Sequence, residues 1–68
     1  MRRNRLDSID RAILRFLFRH RNWATTNHIA ERSGIAWATA DEHLKDLGRH
    51  GYVIRGQKGD LFYWKVNG

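Results

Sequence analysis

The stretch Ile29-Ala30-Glu31-Arg32-Ser33-Gly34-Ile35 decides the fold. Ile29 and Ala30 continue a short apolar-periodic segment that starts at Thr25 or Thr26, either of which can cap a helix by accepting a backbone N–H. Gly34 follows where a helix ends in the left-handed backbone conformation that side chains resist. A small residue at Ala30 and a glycine at Gly34 let two helices cross at a steep angle, as in a helix-turn-helix. The spacing therefore predicts a short helix ending at Ser33, a turn, and a third helix from near Trp37 to about His50. Along that third helix Ala40, Leu44 and Leu47 recur at the 3.6-residue repeat, and Gly51 closes it.

Upstream, Asp7 is a good N-cap, and Asp10 three residues later makes the start of the segment close to a capping box. Ile9, Ile13, Phe16 and Leu17, with Ala12 and Leu14, form the stripe of a core-facing helix over about Ser8 to His20. Downstream the period changes. Tyr52 to Arg55 and Leu61 to Val66 are rich in aromatic and β-branched residues and flank Gly56-Gln57-Lys58-Gly59-Asp60, which reads as a β-hairpin. Alternation turns Phe62 and Trp64 to one face and Tyr63 to the other, which favours a core role over a stacking platform for bases. The fold class is α+β: three helices and then a two-stranded hairpin, over residues 6–66, behind a basic arm at residues 1–5. Ala36 stands at the cap of the third helix where Ser or Thr is usual, a loss that packing of Trp37 would offset.

The bulk composition narrows the classes. A chain of 68 residues holds one domain, and 41% hydrophobic and 12% aromatic residues (Trp23, Trp37, Trp64, Phe16, Phe18, Phe62, Tyr52, Tyr63) supply a core without staples. The absence of cysteine excludes a disulfide framework and a thiolate zinc site. The longest apolar run, Ile9 to Phe18, is broken by Asp10, Arg11 and Arg15 and falls far short of the ~20 residues of a membrane span. His20, His28, His43 and His50 show no ligand pair at helical spacing, so no metal is expected. No phosphate loop and no nucleophile, base and acid set can be assembled, so neither catalysis, nor a cofactor, nor a small-molecule ligand is expected.

The formal net charge of +6 favours a polyanionic partner. Arg2, Arg3 and Arg5 suit phosphates or a minor groove, or simply a solvated end. Arg11, Arg15 and Arg19 stand four apart on one ridge of the first helix, where like charges repel, and read either as a solvated face or as a ligand contact. Phe18 beside that ridge marks a subunit contact or an extra core aromatic. Arg55, Gln57 and Lys58 cluster near the hairpin tip, and Arg32 lies at the end of the second helix; these suit backbone contacts that position without reading sequence. The third helix should present Trp37, Ala38, Thr39, Asp41, Glu42 and Lys45 outward. A carboxylate there can accept from the N4 amine of cytosine, or Asp41 can pair with Lys45 and Asp46 with Arg49 along the helix.

The chain resembles the winged helix-turn-helix superfamily of prokaryotic and archaeal regulators over residues 6–66. Leu6 to Leu17 is similar to the opening helix of Lrp/AsnC-type domains. Ile29 to Ile35 is similar to the common helix-turn step, and Thr39 to Leu47 with Gly51-Tyr52-Val53 resembles the recognition helix and wing entry of MarR-like and ArsR-like proteins. The resemblance implies double-stranded DNA as partner, a homodimer on an inverted repeat, and transcriptional regulation in the cytoplasm, on the nucleoid. Base reading would then fall to Trp37, Thr39, Asp41, Glu42 and Lys45, and backbone contacts to Arg2, Arg3, Arg5, Arg32, Arg55, Gln57 and Lys58. The acidic Asp41 and Glu42 depart from the family pattern and leave open a protein-interaction module. The Arg11, Arg15 and Arg19 ridge leaves open an RNA-repeat binder.

Overall fold

Reciprocal capping sets where the first helix begins. The Asp7 carboxylate accepts from the Asp10 backbone N–H at 2.9 Å, and the Asp10 carboxylate accepts from the Asp7 N–H at 3.2 Å. The computed structural model describes residues 6–67, and α1 spans Ser8–His20. Arg21 ends it in the left-handed region at φ 57, the only such non-glycine residue among those described. A two-residue strand, β1 (Ala24–Thr25), leads straight into α2 (Thr26–Ser33), whose cap is Thr25, with Oγ1 accepting from the His28 N–H at 3.1 Å. Gly34 closes α2 at φ 72, and the Ile35 N–H donates back to the Ala30 carbonyl at 3.0 Å, satisfying a carbonyl that the helix end would orphan.

Next, α3 (Trp37–Arg49) starts at Ala36 with no side-chain cap. The expectation that Trp37 would offset this by packing does not hold, because Trp37 is 52% exposed. Strands β2 (Val53–Lys58) and β3 (Leu61–Val66) pair antiparallel from Val53↔Val66 to Lys58↔Leu61, with Gly59 at φ 61 in the turn. The sheet carries a third strand beyond the expected two. β1 pairs with β3 (Ala24↔Trp64, Thr25↔Tyr63), giving the order β1-β3-β2. Two residues are too few to show a period of two, so β1 exists only through its partner strand.

The core joins Ile13, Leu14 and Leu17 of α1, Ile29 and Ala30 of α2, Ala40, Leu44 and Leu47 of α3, and Ala24, Val53 and Trp64 of the sheet. Trp64 is its anchor, 1% exposed, and its indole N–H donates to the buried Thr26 hydroxyl at 2.8 Å. This contact fixes β3 against the start of α2 and satisfies both polar groups inside the core. Of the aromatic core anticipated from composition, Trp64 alone is fully buried, while Phe16 and Phe62 pack against the core from its edge. Phe16, Phe62 and Tyr63 are half-buried, and Phe18, Trp23, Trp37 and Tyr52 are exposed, so aliphatic side chains supply most of the interior. The Trp23 ring packs on the outer face of the sheet: a Cβ at Gly56 would meet it at 3.2 Å, and the Lys65 ammonium sits 5.6 Å from the ring centroid.

Candidate nucleic-acid interface

Burying Ala40, Leu44 and Leu47 forces the opposite side of α3 outward. Trp37, Ala38, Glu42 and Lys45 are exposed, while Thr39 and Asp41 are half-buried. Between this helix and the hairpin runs an open groove of about 390 Å³, lined by Lys45, Gly48, Arg49, Val53, Arg55 and Trp64. Its walls are cationic and its floor is the core tryptophan. In the register of β2 and β3, Arg55 stands opposite Trp64, so its side chain leaves the sheet on the helix side. There the guanidinium lies 4.9 Å from the centroid of the Phe62 ring, a cation–π contact that limits its freedom.

The charges on α3 are partly answered within the helix. Lys45 Nζ lies 3.1 Å from Asp41 and the Arg49 guanidinium donates to Asp46 at 3.1 Å, the two pairs anticipated from spacing. Asp41 therefore carries a charge that Lys45 already compensates, whereas Glu42 has no ion-pair partner among the described residues. Arg49 was absent from the sequence-based set. The signal was present, since Arg49 follows Lys45 by four residues and so shares its ridge.

The remaining expected contacts are spread out. By strand alternation Lys58 leaves the hairpin on the face opposite Arg55, at the tip. The Gln57 amide donates to the Gly59 carbonyl at 3.3 Å and so braces the turn. Arg32 is directed to α1 instead: its guanidinium sits 5.7 Å from the Phe16 ring centroid and lines a second groove with Arg15 and Arg19. Phe18 is 61% exposed on α1. Arg2, Arg3 and Arg5 lie outside the described residues.

One cluster was not visible in the sequence. His43 of α3 reaches Asp10 of α1, with Nδ1 at 2.7 Å from the carboxylate and at 3.9 Å from Asp7. Ligand atoms of Asp7, Asp10 and His43 lie within 4.8 Å of one another. Asp10 is 2% exposed and its two oxygens are engaged by His43 and by the Asp7 N–H. The cluster works as a tie between the start of α1 and the middle of α3, and so sets how α3 is presented.

Residues 6–54 match the family described as winged helix-turn-helix DNA-binding. No curated protein shows significant sequence similarity to the chain. Among solved structures, the Zα domain of Carassius auratus PKZ, in complex with Z-DNA, is similar at 26% identity and a TM-score of 0.74 over 85% of this chain and 90% of that one. ZitR of Lactococcus lactis, a zinc-responsive MarR family member, superposes at a TM-score of 0.78 and 22% identity over 96% of this chain but 46% of its own. An ArsR family transcriptional regulator gives 0.73 and 23% over 88% of this chain and 60% of its own. The last two identities speak for the fold alone. With the three helices, the sheet and the family match in agreement, the chain belongs to the winged helix-turn-helix DNA-binding family.

Proposed function

We propose that this chain is a small transcriptional regulator that binds double-stranded DNA, with α3 in the major groove and the wing on the backbone. The observation that carries the reading is the cationic groove in which Lys45 and Arg49 of α3 face Arg55 of the wing. Two elements that present charge into one cleft can straddle a phosphate strand, and exposed Trp37 and Glu42 at the same helix are then available to base edges. Lys58 at the tip and Arg2, Arg3 and Arg5 of the arm add contacts that hold the register without reading sequence. Function follows from binding and not from catalysis. The chain acts as a homodimer, for which Phe18 on α1 offers an exposed apolar contact, and it works in the cytoplasm on the nucleoid. No described helix is long and apolar enough to cross a membrane.

A left-handed duplex is the second reading, favoured by the 26% identity to a domain solved on Z-DNA. Anisotropy titrations of a labelled right-handed duplex, the same duplex held left-handed, duplex RNA and a single strand, each at two salt concentrations, separate the readings. Tightest binding to the right-handed duplex with a steep salt dependence supports the first. Preference for the left-handed form transfers the function to the second, and equal weak binding to all four removes both.

A further inference from the structure

The groove between α1 and α2, on elements the α3 and wing interface does not use, has the character of an anion site. It encloses about 600 Å³ and is lined by Ala12, Arg15, Phe16, Arg19, His20, Arg32 and Ser33, none of which lines the α3 groove. Arg15, Arg19 and Arg32 are exposed, and no carboxylate lies within ion-pair distance of them among the described residues. Arg19 and Arg32 sit in the last turns of their helices, where the carbonyl ends favour a cation. That account does not reach Arg15, which lies mid-helix one turn from Arg19 and repels it.

The floor is also built rather than accidental. Phe16 has His20 stacked on it at 5.2 Å and His28 edge-on at 5.4 Å, and the Arg32 guanidinium lies over its ring at 5.7 Å, which limits the freedom of Arg32 at the groove. Three guanidinium groups that share one opening match a phosphate, which takes several charge-assisted hydrogen bonds at once.

We infer that this groove is a second phosphate-binding site, engaged by the backbone of a nucleic-acid segment beyond the one held by α3 and the wing. The source of the phosphate rests on the proposed function; the site itself does not. The test is a heteronuclear NMR titration of the whole chain, first with tripolyphosphate and then with a long duplex. Tripolyphosphate should shift the Phe16, Arg19 and Ser33 amides saturably. Arg15→Gln with Arg19→Gln should weaken that binding by at least about tenfold with unchanged thermal unfolding, and Arg32→Gln should weaken it by a few-fold. Duplex should shift the same amides together with those of Lys45 and Arg55. Shifts that fail to saturate, or that survive the double substitution, overturn the site. Duplex shifts at Lys45 and Arg55 that spare Ser33 overturn its assignment to nucleic acid, whereas saturable shifts at Ser33 with none at Lys45 and Arg55 overturn only the proposed function.

Discussion

At the scale of single residues, His43 and Trp64 carry more of the architecture than their neighbours. Removing the imidazole in His43→Ala leaves one oxygen of the buried Asp10 carboxylate without its partner, and the loss of that hydrogen bond should cost about 1–3 kcal/mol. Chemical denaturation checks this; a midpoint unchanged from wild type would show that Asp10 finds water instead. Trp64→Phe keeps most of the apolar volume and removes the donor to Thr26, so it should also destabilise by about 1–3 kcal/mol. Its partner change Thr26→Val in the same background should recover part of the loss, because both polar atoms are then gone. The ion pairs were legible in advance: Asp41 to Lys45 and Asp46 to Arg49 follow from four-residue and three-residue spacing on a helix. The pair between His43 and Asp10 was not, because 33 residues separate its members and only tertiary packing brings them together.

At the scale of elements, each helix shows its boundaries in its caps. Asp7, Thr25 and Gly34 do what their chemistry suggests, and α1 and α2 fall where the sequence places them. Ala36 is the exception, since α3 begins without a side-chain acceptor and its tryptophan is exposed. Ala36→Ser should therefore stabilise the chain by about 0.5–2 kcal/mol through a bond to an orphaned N–H of the first turn, visible as a raised melting temperature. Gly34→Ala should do the opposite, costing about 1–2 kcal/mol, because φ 72 strains any side chain even in the open space around this glycine. The missed β1 has a physical cause: a two-residue strand has no pattern of its own and is defined by hydrogen bonds to Trp64 and Tyr63. The exposure of Trp23 and Trp37 was hidden for a related reason. Composition reports how much apolar surface exists, not which rings the interior encloses: Trp64 is fully buried, and Phe16 and Phe62 pack at the edge of the core.

At the scale of the whole molecule, the fold was readable because cap, turn and period agree along the chain, whereas the site was readable only in part. Arg55 and Lys45 were selected from charge and position, and both line the α3 groove. Arg32 was grouped with them, yet its stacking on Phe16 turns it toward α1, a consequence of packing between two helices that no linear spacing reports. The picture that emerges has one basic cleft between α3 and the hairpin, where Lys45 and Arg49 each pair with an aspartate of their own helix, and another between α1 and α2, whose three arginines have no carboxylate partner among the described residues. The claim at its centre is that Arg49 and Arg55 hold the phosphate backbone. The most direct measurement is the salt dependence of binding to one right-handed duplex for wild type and for Arg49→Ala with Arg55→Ala. Each phosphate contact contributes about 0.9 to the slope of log affinity against log salt, so the double variant should bind more weakly with a slope shallower by about 1.8. A slope equal to that of the wild type would contradict the account.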